Sequence, residues 1–395
     1  MNVKNAASSL RIITLVAVTI FAFVACEGPI GPTGPQGNPA PACIHDWNWQ
    51  VIIEPTFATP GLTLGTCSND AEHTTLRSLY ATSGLAYELI SGAYRVRKGT
   101  VTGGAIVIPA YYNNLPITEI GSVYDNNTNS AFSNSQITDV YIPSGVRSIG
   151  NYAFSSCTSL TSITIPAGVT SIGNSAFSNC RRLTSIAIPA SVTSIGSSAF
   201  SNCWRLTSIA IPTGVTSIGN YAFESCTNLT RVFISASVTS IGNYAFRYCN
   251  SLTAITVDTG NQNYASEGGI LYDNTKTTLI QAPGAIRGAV IIPASVTTIG
   301  NNAFRNCTSL TSISISEDVE SIGIEAFSGC SSLTSITIPV RVTSIGDSAF
   351  YGWMPSQTIY VRGHASETQA DIAWNDNWRH LCYATIRYWN GSSWV

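Results

Sequence analysis

The sequence predicts a mainly β, elongated solenoid, and three observations support this fold class. Residues 142–360 repeat one pattern with a period of 23 residues, for which residues 165–187 provide a reference copy. A cysteine marks the same place in seven copies, at Cys157, Cys180, Cys203, Cys226, Cys249, Cys307 and Cys330. Hydrophobic residues make up 44% of the chain, which is sufficient for a continuous core. A fixed period of about 20–29 residues is typical of solenoids, in which each unit buries its apolar side against its neighbours.

Composition favours a binding surface over nucleic-acid recognition or catalysis. The 395 residues carry a formal net charge of −2, so no basic field attracts nucleic acid. Charged residues are only 10% of the chain, against a usual value of about 25%. Serine, threonine and asparagine supply the polar surface instead. A solenoid presents a long surface rather than a deep pocket, which favours binding.

Residues 1–25 are predicted to be a lipoprotein signal peptide. Lys4 and Arg11 give a positive start, and residues 12–25 form an apolar run that is too short to span a membrane. The run ends in Phe23-Val24-Ala25-Cys26, which resembles a bacterial lipoprotein cleavage box, so Cys26 would carry the lipid. The alternative is an ordinary signal peptide that is cut nearby, with a chance cysteine.

Residues 26–42 are predicted to be an extended spacer behind this lipid anchor. Glycine recurs at every third position from Gly28 to Gly37 and is accompanied by several prolines. These triplets are too few for a collagen triple helix, but they suit a polyproline-type segment of about 3.1 Å per residue. Such a segment would hold a folded domain away from a membrane surface.

Residues 43–83 are predicted to be a small module outside the repeats. It contains Cys43, His45, Cys67 and His73, and both residue types are zinc ligands. The spacing fits no standard zinc finger, so we regard a metal site as the weaker hypothesis. A Cys43–Cys67 disulfide is the stronger one, because disulfides are expected beyond the cytoplasm. Free cysteines are the third alternative.

Residues 84–361 are predicted to be the solenoid with its N-terminal cap. In the reference copy, alternation along a strand directs Leu183, Ile186 and Ile188 inward and Ser185 outward. The other half of the copy is too short and too rich in Ser and Thr for a real helix, so a short strand and a turn are expected on the convex side, with a single helical turn as a further option. Gly173 would permit a turn conformation there.

Two columns of repeated residues are expected to lie inside this solenoid. The phenylalanines should stack as one ladder of Phe154, Phe177, Phe200, Phe223, Phe246, Phe304, Phe327 and Phe350. The cysteines are predicted to be buried free thiols, since Trp353 takes their place in the last copy and neither a disulfide nor a metal would allow that.

The period is broken once inside the solenoid and ends near residue 361. Cys249 and Cys307 are 58 residues apart, which indicates an enlarged coil with an added hairpin. Residues 362–395 are predicted to be a C-terminal cap with a helix that begins at the capping box of residues 366–369. Ala370, Trp374, Trp378 and Leu381 would share one helical face, and the tryptophans would seal the core rather than bind sugar.

The repeated phrase Ile-Pro-x-x-Val-Thr-x-Ile-Gly-x-x-Ala-Phe-x-x-Cys-x-x-Leu-x-x-Ile resembles the BspA-like leucine-rich repeat of bacterial surface proteins. The resemblance covers Ile106 to Val361, and the phrase recurs about eight times. It implies a right-handed leucine-rich repeat solenoid that is displayed outside the cell and used for adhesion to host matrix proteins, other cells or surfaces. It implies neither catalytic residues nor cofactors.

Ligand binding is expected where the repetition on the exposed strand face fails. Regular rows of Thr and Ser, such as Thr161, Thr184 and Thr207, suggest a solvated sheet face. Arginine and tryptophan are frequent interface anchors. The candidate ligand-binding residues, which we call the arginine–aromatic patch, are Arg181, Arg182, Trp204, Arg205, Arg231 and Phe233. The alternative is tolerated drift on an exposed turn.

The predicted function is that of a monomeric, lipid-anchored binding scaffold or adhesin on the cell envelope. Its partner would be a protein or glycan on host or neighbouring cells, with no nucleic acid and with membrane contact through the lipid anchor alone. A structural envelope or spacer protein is one alternative, and an enzyme with a site outside the repeats is another. The four histidines, His45, His73, His364 and His380, all lie outside the solenoid repeats.

Overall fold

The computed structural model describes residues 47–56, 59–67, 70–121, 131–364, 366–374 and 377–394, and these residues form 28 mostly short strands and one helix. The strands before the regular repeats are β1 (Trp47–Ile53), β2 (Gly61–Cys67), β3 (Asp70–Leu79), β4 (Ala86–Ile90), β5 (Ala93–Arg97), β6 (Gly103–Val107), β7 (Tyr111–Tyr112), β8 (Leu115–Ile120) and β9 (Gln136–Tyr141).

The regular repeats, their interruption and the C-terminal segment contain the remaining elements. These are β10 (Ser148–Ile149), β11 (Ser171–Ile172), β12 (Ser194–Ile195), β13 (Ser208–Ala210), β14 (Ser217–Ile218), β15 (Arg231–Ile234), β16 (Ser240–Ile241), β17 (Ala254–Val257), β18 (Tyr264–Glu267), β19 (Ile270–Asp273), β20 (Thr278–Gln281), β21 (Gly288–Ile291), β22 (Thr298–Ile299), β23 (Leu310–Ser314), β24 (Ser321–Ile322), β25 (Ser335–Ile338), β26 (Ser344–Ile345), β27 (Thr358–Val361), α1 (Glu367–Trp374) and β28 (Thr385–Tyr388).

The described chain divides into two compact units, of which the first comprises the described residues from Trp47 to Ala81 together with Pro109–Asn113. In this unit β1, β2 and β3 form an antiparallel sheet in sequence order. Gly61 begins β2 where the chain passes very close to β1, since a Cβ atom there would lie 2.3 Å from the carbonyl oxygen of Ile53. A larger residue at this position would force the two segments apart.

The second unit, Thr82–Ile108 with Asn114–Val395, is a solenoid with two columns of parallel strands. One column stacks the short Ser-Ile strands β10, β11, β12, β14 and β16 in register and resumes with β20, β22, β24 and β26. The other column includes the ladders β13–β15–β17 and β25–β27–β28. The predicted solenoid of about 23-residue repeats is therefore confirmed.

The core follows the alternation expected from the sequence. In the reference copy Leu183 is fully buried and Ile186 and Ile188 are buried, whereas Ser185 and Ala187 are exposed. Gly173 is needed for space rather than for an unusual backbone angle, because a Cβ atom there would lie 2.6 Å from the nitrogen of Asn151 in the preceding coil. Our expectation that Gly173 supplies a special turn conformation was wrong for this reason.

The convex side of each regular coil consists of turns, and outside the interruption these turns are hydrogen-bonded to the next coil. Ser175 and Asn179 adopt left-handed φ angles of 53° and 60°. The N–H groups of Ser175, Phe177 and Asn179 each donate to a carbonyl oxygen of the following coil at 2.8 Å. These bonds replace the intrahelical bonds that a helix would have, so the irregular convex side predicted from the sequence is confirmed.

The phenylalanine column forms two stacks instead of the single ladder that we expected. Adjacent rings lie 5.3–5.7 Å apart and nearly parallel, and Phe132 extends the first stack at its N-terminal end. Among the described residues no ring contact joins Phe246 to Phe304. The intervening coil passes through Ala282, Pro283 and Gly284 in a shortened turn without a phenylalanine.

The cysteine column consists of free, buried thiols, as predicted. Each thiol donates to the carbonyl oxygen of a buried residue, as in the contact of Cys180 Sγ with Phe154 O at 3.1 Å. Trp353 fills the same place in the last copy, and its Nε1–H donates to Phe327 O at 2.9 Å. Burial raises the pKa of Cys157, Cys249 and Cys330 to about 12.

The interruption contains the expected hairpin, since β18 pairs antiparallel with β19, and β19 also pairs antiparallel with β20.

At the C-terminal end, Gln369 N–H donates to Ser366 Oγ at 3.4 Å as α1 begins. Trp374 and Trp378 are buried, but Leu381 is 46% exposed. The predicted helical face was wrong for both Trp378 and Leu381, because α1 ends at Trp374 and these two residues lie in a separate turn at residues 377–381.

Candidate binding surface

The arginine–aromatic patch spans a strand and the turns that precede the strand column, since Arg231 and Phe233 lie on β15 whereas Arg181, Arg182, Trp204 and Arg205 lie in turns. Ser208, Ile209 and Ala210 of β13 pair with Arg231, Val232 and Phe233 of β15. Val232 is buried, whereas Arg231 and Phe233 on either side of it are exposed. Strand alternation therefore places both of these residues on the solvent side.

Trp204 and Arg181 form the one close contact that is found within the patch among the described side chains. The Arg181 guanidinium carbon lies 4.4 Å from the centre of the Trp204 ring, which is a cation–π geometry. The indole Nε1–H points to Asn202 Oδ1 at 3.4 Å. Trp204 is nevertheless 42% exposed and Phe233 is 46% exposed. The Trp204 surface that Arg181 leaves uncovered and the Phe233 ring are therefore available to a partner.

The patch arginines have no acidic neighbours. Residues 142–250 contain six arginines and one glutamate, with no lysine or aspartate. Within the described part of the chain, Arg181, Arg182, Arg205 and Arg231 form no ion pair, whereas Arg95 contacts Glu119 at 2.8 Å and Glu88 at 3.2 Å. The patch thus adds unneutralised positive charge to a chain whose net charge is −2.

The threonine row beside the patch has a structural role that sequence reasoning missed. The hydroxyl of Thr230 donates to Thr207 O at 3.1 Å, and that of Thr253 donates to Thr230 O at 2.9 Å. Thr184 and Thr207 make longer bonds of the same kind. The repetition of threonine at 23-residue spacing is the signal for this ladder. Because these hydroxyls bond the preceding coil, the threonine row is less free to bind a ligand than a solvated Ser/Thr face.

The side chains of the lipidation, metal and disulfide candidates are not among those that the structure describes. Cys26, Cys43 and His45 lie outside the described residues, and so do the side chains of Cys67 and His73. The lipidation, metal and disulfide hypotheses therefore stay predictions. Among the side chains that are described, no three His, Cys, Asp or Glu residues are grouped as metal ligands would be. The described helix is too short to cross a membrane.

The repeats match a known family along most of the solenoid. The sequence pattern of the BspA type leucine-rich repeat region matches residues 125–262 and 288–375 in six copies, together more than half of the chain. The chain belongs to the BspA-type leucine-rich repeat family. This BspA-type fold is typically non-enzymatic. Among curated proteins, no sequence matches the chain.

Solved structures with the same fold are found in several bacteria. A leucine-rich repeat protein from Eubacterium ventriosum ATCC 27560 is 28% identical to this BspA-type chain over 71% of each chain, with a TM-score of 0.50. A leucine rich cell surface protein from Faecalibacterium prausnitzii A2-165 is 28% identical over 79% of this chain and 95% of its own, with a TM-score of 0.55. The pneumococcal vaccine antigen PcpA shares the fold at 20% identity, with coverage of 72% and 82% and a TM-score of 0.56.

Proposed function

We propose that this chain is a binding scaffold or adhesin of the bacterial cell surface, and that the arginine–aromatic patch contacts its ligand. The observation that carries the proposal is the exposed Arg181–Trp204 pair on a surface of otherwise repeated Ser and Thr. Membership of the BspA-type family and the cell surface protein from Faecalibacterium prausnitzii support the location.

The charge of the patch indicates the kind of ligand. Arg182, Arg205 and Arg231 lie on strand or turn positions of three successive coils, without carboxylate partners in the described part of the chain. Unpaired guanidinium groups favour acidic segments of host matrix proteins or acidic glycans, and the exposed aromatic rings add apolar contact. Attraction between exposed charges is screened by salt. Binding should therefore weaken as ionic strength rises.

The experiment measures capture of matrix proteins and host cells by immobilised residues 43–395. The double variant Trp204→Ala/Arg205→Ala should weaken capture by at least about tenfold, because it removes two anchor residues. The matched control is Tyr351→Ala/Arg287→Ala, an exposed aromatic residue and an exposed arginine in the second half of the solenoid. Equal capture by both double variants would refute the role of the patch.

Attachment through Cys26 is a separate part of the proposal. A lipid on this residue, followed by the glycine- and proline-rich spacer of residues 26–42, would hold the solenoid away from the membrane. Metabolic labelling with a radioactive fatty acid should mark the full-length chain and not Cys26→Ala. Labelling that persists in the variant would show that Cys26 is not the lipidated residue.

A further inference from the structure

The break between the two phenylalanine stacks contains a cavity of about 160 Å³, which we call the slot. Its first wall is the turn of the last coil before the break, including Ile241, Tyr244 and Phe246. Leu271 and Gln281 of the inserted strands form a second wall, and Asn301 of the following coil forms a third. A cavity of about 150 Å³ holds a benzene-sized ring, so the slot has room for one six-membered ring.

The slot exists because one turn is short. In the other coils an Ala-Phe-x-x-Cys segment fills this level of the stack. Here Ala282 N–H donates directly to Ala303 O at 2.7 Å. Gly284 then passes so close to the preceding coil that a Cβ atom on it would lie 2.6 Å from Cys249 O. The chain therefore crosses the interior by a shorter path and leaves the place of one phenylalanine unfilled.

Backbone donors on the wall of the slot lack the partners that they have in other coils. In the preceding coil, Tyr221 N–H donates to Asn243 O at 3.0 Å and Phe223 N–H donates to Ala245 O at 2.8 Å. Among the described residues, the corresponding N–H groups of Tyr244 and Phe246 find no acceptor. Unpaired backbone donors are uncommon at buried positions such as Phe246, which is 3% exposed. A ligand with acceptor oxygens would satisfy them.

Side chains around the slot are also left without their usual contacts. The Oδ1 atom of Asn220 accepts the N–H of Asn243 in the next coil at 2.8 Å, but Asn243 Oδ1 accepts no such bond within the described chain. Ile241 is partly exposed, whereas its counterparts Ile218 and Ile299 are at most 1% exposed. The slot thus combines carboxamides at its edge with apolar surface inside, which is the usual composition of a small-molecule site.

The charges beside the slot balance one another. Arg247, which follows Phe246, lies 3.6 Å from Glu224 and 3.6 Å from Glu325, and Arg305 also contacts Glu325. These ion pairs connect the coil before the break to coils after it. Two positive and two negative groups leave no net charge to attract an ion. A neutral, polar ring suits the site better than an anion does.

We propose that the slot binds one neutral sugar ring, such as the terminal residue of a glycan. A pyranose presents ring and hydroxyl oxygens as acceptors for the N–H groups of Tyr244 and Phe246. Its hydroxyl groups match the whole carboxamide of Asn243, Oε1 of Gln281 and Nδ2–H of Asn301. The other polar atoms of these groups are engaged, since Gln281 Nε2–H donates to Ala282 O at 3.0 Å and Asn301 Oδ1 accepts the Ile324 N–H at 2.8 Å. Its C–H faces pack against the apolar wall. This site is separate from the arginine–aromatic patch, so the inference goes beyond the proposed function.

The experiment is saturation-transfer NMR on the full chain with free galactose, mannose, fucose and N-acetylglucosamine as probes. At least one sugar should receive saturation, and Gln281→Trp, which fills the slot, should weaken its binding by at least about tenfold. The matched control Asn228→Ala changes an exposed asparagine outside the slot and should bind as the parent does. Circular dichroism verifies that both variants are folded, and Asn243→Ala provides a second test if Gln281→Trp does not fold.

Two results would overturn the inference. One is the absence of saturation transfer to all four sugars, and the other is unchanged binding by folded Gln281→Trp or, in its place, by Asn243→Ala. The Trp204→Ala/Arg205→Ala variant should retain sugar binding in this assay. Failure of the slot and failure of the patch are therefore distinguished by different variants.

Discussion

Replacing Phe200 by alanine measures how much the phenylalanine column contributes to stability. Phe200 is fully buried between Phe177 and Phe223, with both ring centroids 5.4 Å away. Loss of a buried phenylalanine costs about 3–5 kcal/mol, because apolar burial is lost and a cavity remains. The rigid repeats on both sides limit how far this cavity can collapse. We therefore expect a reduction of this size in the free energy of unfolding.

Phe246→Ala provides the internal comparison. Phe246 stacks on Phe223 alone, at 5.6 Å, and its other side meets the slot. Each aromatic pair contributes about 0.5–1.5 kcal/mol beyond its buried area. Phe200→Ala should therefore cost about 0.5–1.5 kcal/mol more than Phe246→Ala. Phe233→Ala is the surface control and should change stability by less than about 0.5 kcal/mol.

The assay is guanidinium denaturation followed by circular dichroism for the parent and the three variants. Repeat proteins can unfold in parts, so hydrogen exchange should verify that the same coils open in each variant. Equal losses for Phe200→Ala and Phe246→Ala would refute the claim that the column is interrupted after Phe246. A loss below about 1 kcal/mol for Phe200→Ala would refute the close packing of the stack.

Three further predictions concern other parts of the repeat. The seven buried thiols should resist iodoacetamide at pH 8 in the native protein and react after denaturation, because burial raises their pKa values; rapid native labelling would contradict this. Since unfolded thiols ionise near their ordinary pKa, the free energy of unfolding should also fall as the pH rises from about 9 to 12, and an unchanged free energy across this range would contradict the raised pKa values. Trp353→Phe should lower the free energy of unfolding by about 1 kcal/mol, because it removes one of two hydrogen bonds to the buried Phe327 carbonyl and leaves the Cys330 N–H at 3.3 Å as the other donor. A loss above about 3 kcal/mol in thermal melts would show that the Cys330 N–H alone does not satisfy that carbonyl. Asn220→Ala should lower the free energy of unfolding by about 1 kcal/mol and Asn243→Ala by less than about 0.5 kcal/mol. Of these two side chains, only that of Asn220 accepts an N–H group from the next coil. Equal losses in denaturation curves would contradict this difference.

The sequence was sufficient for the features that depend on repetition. The period predicted the solenoid, strand alternation predicted that Leu183 is buried, and the Cys–Trp exchange at position 353 predicted free thiols. It was insufficient where neighbouring coils differ in length. The slot arises because the turn at Ala282 is shorter than the turn before it, and the effect of that difference depends on how the two coils stack.

The candidate patch was partly visible in the sequence. Arg181, Trp204 and Phe233 stand out because they interrupt regular rows. Their mutual geometry was not visible, since the stacking of Arg181 on Trp204 joins two coils through flexible side chains. The bonding of the threonine hydroxyls was missed for a related reason, because a threonine that faces outward can still turn its hydroxyl back to the preceding coil.

In the Ala-Phe turns of the regular coils, alternate N–H groups donate to the coil that follows, as Phe177 N–H does to Ala199 O at 2.8 Å. At the threonine row the direction is reversed, since Thr184 N–H donates to Thr161 O of the preceding coil at 3.2 Å. Each regular coil repeats both patterns, so a duplicated 23-residue unit would fit between any two regular neighbours. Growth by duplication needs no new contacts, but the final coil requires a segment that supplies carbonyl groups. Asn377 and Leu381 provide them, since their carbonyl oxygens accept the N–H groups of Ser348 at 2.8 Å and Gly352 at 3.1 Å. Evolution could thus lengthen this protein freely while retaining the same C-terminal segment.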